Sequence, residues 1–265
     1  MLKSWLVDHT APFEHVFVHG MGLDERGTAM SKSLGNYLPP EPLIETFGAD
    51  AIRFFGASEA GAGEDFRISE ERIQGARKFI SKLWNTARFI SAFAMPAAGK
   101  LRAADEWILA ELNRLIVDSR AAYEDANLAI PANRCREFVW NLFAPHYLEM
   151  VKARAYEGDD GASWTLHAVL RDVLRLLAPI APFVTDACWR GIYGGSVHRE
   201  MLPQIRAEIG EDLASATPAI ESFNSEVWKR KRDSGIPLSA TISDIPIPDA
   251  LQRFASDLKR MHRLA

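Results

Sequence analysis

From residue 69 to residue 177, apolar residues recur at every third or fourth position, and this period constrains the fold more than any other feature of the chain. The first predicted helix begins after Ser69, a good N-cap residue. Its apolar stripe consists of Ile73, Ala76, Ile80, Leu83, Ala87 and Ile90. Further helices are predicted to begin near Asp105, Pro131 and Ser163. Amphipathic helices with short connections predict a helical bundle, so the predicted fold class is mainly α.

Shorter elements precede this bundle. Residues 15–20 alternate in polarity and end in glycine, which predicts a short strand. A cluster of prolines predicts the first turn of a helix that Gly48 ends. Asp50 is the predicted N-cap of a second helix, over residues 51–57. Together these elements predict a small α/β unit over residues 1–64.

Shorter elements also follow the bundle. Residues 220–232 are predicted to form a helix, residues 238–242 a short strand, and a last helix begins at Pro248. They predict a small α+β subdomain over residues 211–265, which leaves residues 65–210 for the helical bundle.

Residues 229–232 of the predicted C-terminal helix read Lys-Arg-Lys-Arg and form the densest basic run of the chain. One interpretation is a solvated helix end that the helix dipole stabilises. The other is a contact with nucleic-acid phosphates, and the sequence leaves both open.

Charge and composition exclude several classes of protein. The 265 residues carry 31 basic and 35 acidic side chains, a net charge of −4, which excludes a uniformly basic coat for nucleic acid. With 48% hydrophobic and 25% charged residues, the composition is that of a folded globular protein. No apolar run reaches about 18 residues and the N-terminus lacks a secretory signal, so we expect no membrane partner and a cytoplasmic location.

Cysteine, histidine and tryptophan give no separate site. Cys135 and Cys188 lack a C-x-x-C spacing and are predicted to be buried thiols. The seven histidines show no spacing typical of metal ligands, so no metal site is expected. His146 is interpreted as a packed helix residue. Four tryptophans in apolar runs are predicted to pack in the core. They are Trp84, Trp140, Trp164 and Trp189.

One short loop has the composition of a phosphate-binding site. It reads Met30-Ser31-Lys32-Ser33-Leu34-Gly35-Asn36. A lysine between two serines can place an ammonium beside a polyphosphate, with hydroxyl and backbone N–H groups as further donors. The other interpretation is a solvated surface turn, in which only Leu34 could anchor the loop.

This loop resembles the K-M-S-K-S signature loop of class I aminoacyl-tRNA synthetases, and the resemblance extends over nearly the whole chain to archaeal-type valyl-tRNA synthetases. It is carried also by the stretches KLWNTARFI, EFVWNLFAPHYLEMVKARAY and LLAPIAPFVTD. In that family, residues corresponding to 1–64 end the catalytic domain and residues 65–210 form the anticodon-binding domain. The resemblance implies tRNA(Val), and not DNA, as partner and Mg-bound ATP as cofactor of the whole enzyme. It implies that Met30, Ser31, Lys32 and Ser33 contact ATP, with Lys32 as the catalytic residue.

The chain departs from the family pattern in two ways. Ala29 stands where the family has the first lysine of the loop, which removes one phosphate contact. No H-x-G-H motif follows His15 or His19, and the resemblance covers only the C-terminal part of the family. We therefore predict that the isolated chain binds tRNA without aminoacylating it, and that the missing catalytic part of the enzyme is a partner. The alternatives are a stand-alone interaction module without RNA binding and the same region of an isoleucyl-tRNA synthetase.

The predicted tRNA contact is the side of the first bundle helix opposite its apolar stripe. At 100° per residue, Lys78, Lys82, Asn85 and Phe89 fall on this side. Phe89 is predicted to stack on an unpaired base, the lysines to contact the backbone, and Asn85 to contact a base edge. The resemblance adds Arg67 as a further basic position. The alternative is that Phe89 packs against a neighbouring helix while the lysines are solvated.

Overall fold

Helices form nearly all the regular structure of the computed structural model, which describes residues 2–265, and the predicted mainly α class is confirmed. The α-helices are α1 (Leu2–Asp8), α2 (Pro40–Phe47), α3 (Ala49–Glu59), α4 (Glu70–Ile90), α5 (Ala103–Glu124), α6 (Ala129–Glu137), α7 (Glu149–Tyr156), α8 (Asp160–Leu177), α9 (Pro182–Ile192), α10 (Thr217–Asp233) and α11 (Ala255–His262). Two short strands, β1 (Gly22–Leu23) and β2 (Phe66–Arg67), pair in parallel. Among residues 2–265, no helix has the length and apolar character needed to cross a bilayer.

The strand predicted over residues 15–20 is wrong. Val16 and Val18 are exposed on the surface, so the alternation reflects no buried face, and β1 begins only at Gly22. The intervening Gly20 lies against the backbone of Glu64, where a Cβ would come within 2.0 Å of the carbonyl oxygen. Only glycine permits this close approach of the two backbones.

The prediction that Asp50 caps its own helix is wrong, because Asp50 caps a distant helix instead. The N-cap of α3 is Gly48, with φ of +87°. The Asp50 carboxylate accepts hydrogen bonds from the backbone N–H groups of Phe183 and Val184, in the first turn of α9. An anion at a helix N-terminus satisfies free N–H groups and interacts favourably with the helix dipole.

Arg53, one turn further along α3, holds the segment just before α9. Its guanidinium donates to the carbonyl oxygens of Pro179 and Ile180, each at 3.1 Å. Helix α3 therefore binds both the carbonyl groups that follow α8 and the N–H groups that begin α9. We call Asp50 and Arg53 together the α3 clamp.

The predicted apolar stripe of α4 is confirmed. Ser69 caps the helix by accepting from the backbone N–H of Arg72. Five of the six stripe residues are at most 3% exposed, and the sixth, Ile80, is half-buried. The stripe packs against α3, α8 and α9, and it belongs to one core in which Trp107, Ile108 and Leu112 of α5 are fully buried. Cys135 and Cys188 are buried thiols, as predicted.

A π-helix joins α6 to α7. It runs over Phe138–Leu148 and contains Pro145. Proline lacks the N–H that an α-helical bond would use, and it clashes with the preceding turn, so a wider turn accommodates it. The result is one continuous helical segment from residue 129 to residue 156.

A buried ion cluster ties α5, α7 and α11 together. Arg154 is 1% exposed and forms a bidentate pair with Asp105, at 2.8 and 3.1 Å. Its Nε lies 3.0 Å from Asp257 of α11, and Tyr147 donates to Asp105 at 2.7 Å. Asp159, the N-cap of α8, lies 3.3 Å from the same guanidinium. One cation therefore holds three carboxylates from different elements.

The position of Lys231 shows that two predictions about the C-terminal unit are wrong. It is fully buried, so the interpretation of the basic run as a solvated helix end is wrong for this residue. Its ammonium donates to the carbonyl oxygens of Leu238, Ala240 and His262, each at 2.7 Å. Because two of these carbonyls lie in the predicted strand over residues 238–242, that strand does not form. Only a single bridge, from Ile242 to Leu264, exists there among the described residues.

Two buried histidines, His146 of the π-helix and His262 of α11, meet where the bundle contacts the C-terminal unit. The side-chain amide of Asn224 donates to Nδ1 of His146 at 2.8 Å and accepts from Nε2 of His262 at 2.7 Å. Because Nδ1 of His146 accepts this bond, the His146 ring is neutral. Burial lowers the pKa of His262 to about 4, so that ring is also neutral at pH 7. Trp228 packs against both, with ring centroids 5.3 Å from His146 and 6.0 Å from His262. His146 is thus a packed helix residue, as predicted.

Candidate functional site

The predicted phosphate loop follows a tight hairpin over residues 22–30, and two polar side chains connect the two. The Asp24 carboxylate accepts from the N–H groups of Arg26 and Thr28, at 3.0 and 2.8 Å. Asn36 donates to the same carboxylate at 2.9 Å and accepts from the N–H of Ser31 at 2.8 Å. These bonds, first the one from Asn36, lower the pKa of Asp24. Leu34, the only apolar side chain that could anchor the loop, is 65% exposed and does not anchor it.

Lys32 is exposed on the turn that follows this hairpin. Its ammonium lies 5.5 Å from the ring centroid of Tyr37, and no carboxylate within residues 2–265 forms an ion pair with it. The hydroxyls of Ser31 and Ser33 lie 3.1 Å apart, and Met30 sits at the base, where its N–H donates to Gly22. The loop therefore presents one cation and two hydroxyls to solvent, which suits an anionic ligand.

Replacing Asn36 by alanine is expected to loosen the loop. The change removes the acceptor of the Ser31 N–H and the donor to Asp24, at about 0.5–1.5 kcal/mol for each hydrogen bond. Amide exchange at Ser31 should then be about tenfold faster, and trypsin should cut sooner after Lys32. The matched control is Asn85→Ala, on the exposed side of α4. Unchanged exchange at Ser31 in a folded variant would contradict this role.

The polar side of α4 lies where the helical period predicts it. Lys78 and Asn85 are exposed, whereas Lys82 and Phe89 are half-buried. Their partial burial comes from the helical segment over residues 129–156, which packs alongside. The Lys82 ammonium lies 5.7 Å from the ring centroid of Trp140. The site therefore includes a second helix, which the sequence analysis did not include.

Phe89 belongs to a small aromatic cluster. Its ring centroid lies 5.2 Å from that of Phe93 and 6.2 Å from that of Tyr156, both edge to face. The Lys152 ammonium lies 5.6 Å from the Phe89 centroid. Phe89 therefore packs against a neighbouring helix, α7, as the alternative interpretation of this residue stated. We call Lys78, Lys82, Asn85, Phe89, Trp140, Lys152 and Tyr156 the aromatic–lysine face.

Two tryptophans lie outside the core, against the prediction. Trp84 is 46% exposed and Trp140 is 41% exposed, while Trp189 is buried and Trp164 half-buried. The helical period could have found Trp140, because it points away from the apolar side formed by Phe138, Leu142 and Phe143. Lys152 and Tyr156 carry no comparable sequence signal, since their role depends on how α7 packs beside α4.

Arg67 is separate from this face. It lies in β2, before α4 begins, and its guanidinium is beside Gly27 of the hairpin. Lys82 lies about 18 Å along the helix axis from the start of α4, at about 1.5 Å per residue. The structure therefore brings Arg67 to the hairpin and not to Lys82 and Phe89.

Comparison with known proteins gives matches along the whole chain. Residues 105–245 match the family model "Anticodon-binding domain of tRNA ligase", and residues 1–69 match "tRNA synthetases class I (I, L, M and V)". The valine–tRNA ligase of Aeropyrum pernix is 38% identical over 96% of this chain. That of Pyrobaculum aerophilum is 36% identical over 100%. This chain covers 33% and 34% of these two proteins, so it spans about a third of their length.

A solved structure shares the fold. It is the LeuRS of Agrobacterium radiobacter K84, in a ternary complex with tRNA and LeuAMS. The TM-score is 0.64 at 22% sequence identity, over 80% of this chain and 26% of that one.

Proposed function

The chain belongs to the family of anticodon-binding domains of tRNA ligases, and on this basis we propose that it is the tRNA-recognising part of a valine–tRNA ligase. The relatives named above are valine–tRNA ligases, which favours valine over isoleucine and an RNA-binding role over an interaction module without RNA. The proposed division into domains is 1–64, 65–210 and 211–265. The parent reaction is the ATP-dependent attachment of valine to tRNA(Val).

The observation that carries this proposal is the aromatic–lysine face. Its lysines lie beside aromatic rings, at 5.7 Å for Lys82 and Trp140 and 5.6 Å for Lys152 and Phe89. Ammonium groups neutralise backbone phosphates, while aromatic rings stack on unpaired bases of a loop. Asn85 is exposed between them and can hydrogen-bond to a base edge. We propose that this face binds the anticodon loop.

Filter binding of a tRNA(Val) transcript at several salt concentrations tests this function. The parent chain should bind, and binding should weaken as salt rises because released counterions contribute to the affinity. Lys82→Ala should flatten the log–log salt slope by up to about 0.7, the value for one phosphate on a single strand. Lys3→Ala, a change of an exposed lysine in α1, is the control and should leave the slope unchanged. Equal slopes for the parent and both variants would contradict the proposal.

The hairpin supports a second, dependent role in the whole enzyme. Lys32, Ser31 and Ser33 fit a triphosphate, because they present an unpaired ammonium and hydroxyl groups at one exposed tip. We propose that Lys32 neutralises the triphosphate of Mg-bound ATP, which would supply the adenylyl group for valine activation, with pyrophosphate as the leaving group. Ala29 adds no charge at the base of the loop, since it offers only its carbonyl, to Asn36.

This chain alone is expected to show no valine-dependent exchange of pyrophosphate with ATP. It spans about a third of the related ligases, and it has no H-x-G-H motif to complement Lys32. Exchange above the background of a Lys32→Ala variant would contradict this prediction. Adding the remaining part of a related valine–tRNA ligase is the complementary measurement, in which a gain of exchange that depends on Lys32 is expected.

A further inference from the structure

We propose that Trp140 and Tyr156, and not Phe89, are the residues of the aromatic–lysine face on which RNA bases stack. This inference rests on the proposed function, because it assumes that the face binds RNA. It assigns the stacking role to two side chains of the second helical segment, one in the π-helix and one at the end of α7.

Exposure separates the three aromatic residues of the face. Tyr156 is 66% exposed and Trp140 is 41% exposed, whereas Phe89 is half-buried and packs against the core. A base can stack only on a ring face that solvent reaches. Phe89 contacts both Phe93 and Tyr156, so a base would have to displace one of these rings. Tyr156 packs edge to face on Phe93 at 5.2 Å and on Phe89 at 6.2 Å, and most of its side chain remains exposed.

Trp140 has a lysine beside it, and Tyr156 lies next to a ring that does. The Lys82 ammonium lies 5.7 Å from the Trp140 centroid, and the Lys152 ammonium lies over Phe89, which touches Tyr156. A base stacked on either ring would thus bring its phosphate near a cation. Glu149 lies 3.3 Å from Lys152 and pairs with it, while Glu157, next to Tyr156 in the sequence, pairs with Arg260. Large exposed aromatics beside cations are typical of surfaces that bind single-stranded nucleic acid.

The two rings are far enough apart to take different bases. Lys82 and Phe89, which mark the two positions on α4, are separated by about 10 Å along the helix axis. Trp140 and Tyr156 themselves are about four helical turns apart in one continuous helical segment, so they contact different nucleotides of one loop. Two separated stacking positions fix the path of the strand across the face, and Asn85 lies between them on α4.

The test compares two RNA probes with single-residue variants. One probe is the anticodon stem-loop of tRNA(Val), and the other is a fully paired duplex with the same stem sequence. Trp140→Ala and Tyr156→Ala should each bind the stem-loop about 5- to 150-fold more weakly, the usual effect of losing one base stack. Binding of the duplex should not change. Trp140→Phe and Tyr156→Phe keep an aromatic ring and should retain most of the affinity.

Trp84→Ala is the matched control, because Trp84 is 46% exposed on α4 but points away from this face, towards α9. It should bind like the parent. Stem-loop binding unchanged in both alanine variants, while the parent binds, would overturn the inference and leave the proposed function intact. Equal losses for stem-loop and duplex would also overturn it, because stacking requires unpaired bases. A parent chain that binds no RNA would overturn the proposed function itself and leave the face to a protein partner.

Discussion

Replacing Arg154 by methionine is expected to lower the free energy of unfolding by about 3–5 kcal/mol, the typical cost of removing one partner of a buried ion pair. The change leaves the carboxylates of Asp105 and Asp257 buried without their cation. Burial already raises the pKa of Asp257, and the Arg154 charge opposes that shift. Without Arg154, the carboxylates would have to take up protons or repel each other. Urea denaturation at neutral pH measures the change.

Two further variants make this prediction specific. Arg230→Met removes an exposed ion pair with Glu226 on α10, and surface pairs contribute only about 0–1 kcal/mol. Adding Asp105→Asn and Asp257→Asn to Arg154→Met should restore part of the stability, because it removes the buried charges that were left unpaired. Equal denaturation midpoints for Arg154→Met and Arg230→Met would show that the cluster does not stabilise the fold.

Acidification is expected to destabilise the C-terminal unit before the carboxylates titrate. Burial, followed by the charges of Lys231 and His146, lowers the pKa of His262 to about 4, from an ordinary value of 6.5. Between these values the unfolded chain binds more protons than the native one. The contribution of His262 to the free energy of unfolding is therefore fully present above about pH 6.5, and it is lost as the pH falls toward 4. The loss is about 2 kcal/mol by pH 5 and about 3 kcal/mol in full, at about 1.36 kcal/mol per pKa unit.

The His146 ring acts in the same direction. Burial lowers its pKa, and a proton on its Nδ1 would face the Asn224 amide group that now donates to it. Thermal or urea unfolding at pH 7, 6 and 5 measures the dependence. His262→Gln should be less stable than the parent at pH 7 and show a weaker pH dependence. His198→Gln, at an exposed position, should keep the parent's pH dependence. Constant stability of the parent from pH 7 to pH 5 would contradict the prediction.

The helices could be predicted because their signal is local. Ser69 caps α4 through a residue three positions away, and the apolar period of α4 is visible in its own sequence. Neither signal depends on contacts with distant parts of the chain. The failures depend on partners far along the chain. Asp50 follows every local rule for an N-cap, yet the N–H groups that it binds are on α9. Residues 238–242 have the composition of a strand, but Lys231 takes two of the carbonyls that a neighbouring strand would use.

The candidate site was predictable only in part, for the same reason. The period of α4 places Lys82, Asn85 and Phe89 on one side without any knowledge of the fold. It cannot reveal that Trp140 lies beside Lys82, or that Tyr156 and Lys152 enclose Phe89, because those contacts depend on how two helical segments pack. The phosphate loop shows a similar limit: its sequence indicates Lys32, whereas the bonds that hold it come from Asn36 and Asp24.

The α3 clamp determines how firmly the segment that carries the hairpin is attached to the bundle. Asp50 and Arg53 satisfy backbone groups on both sides of the turn between α8 and α9, so a hinge at this joint would expose several of them at once. Only Gly48 separates α3 from α2, which leads back to the hairpin. A bend between α8 and α9 would break these bonds to α3 as well. We therefore expect α3, α8 and α9 to move as one rigid unit, with α2 and the Lys32 loop attached to it through Gly48.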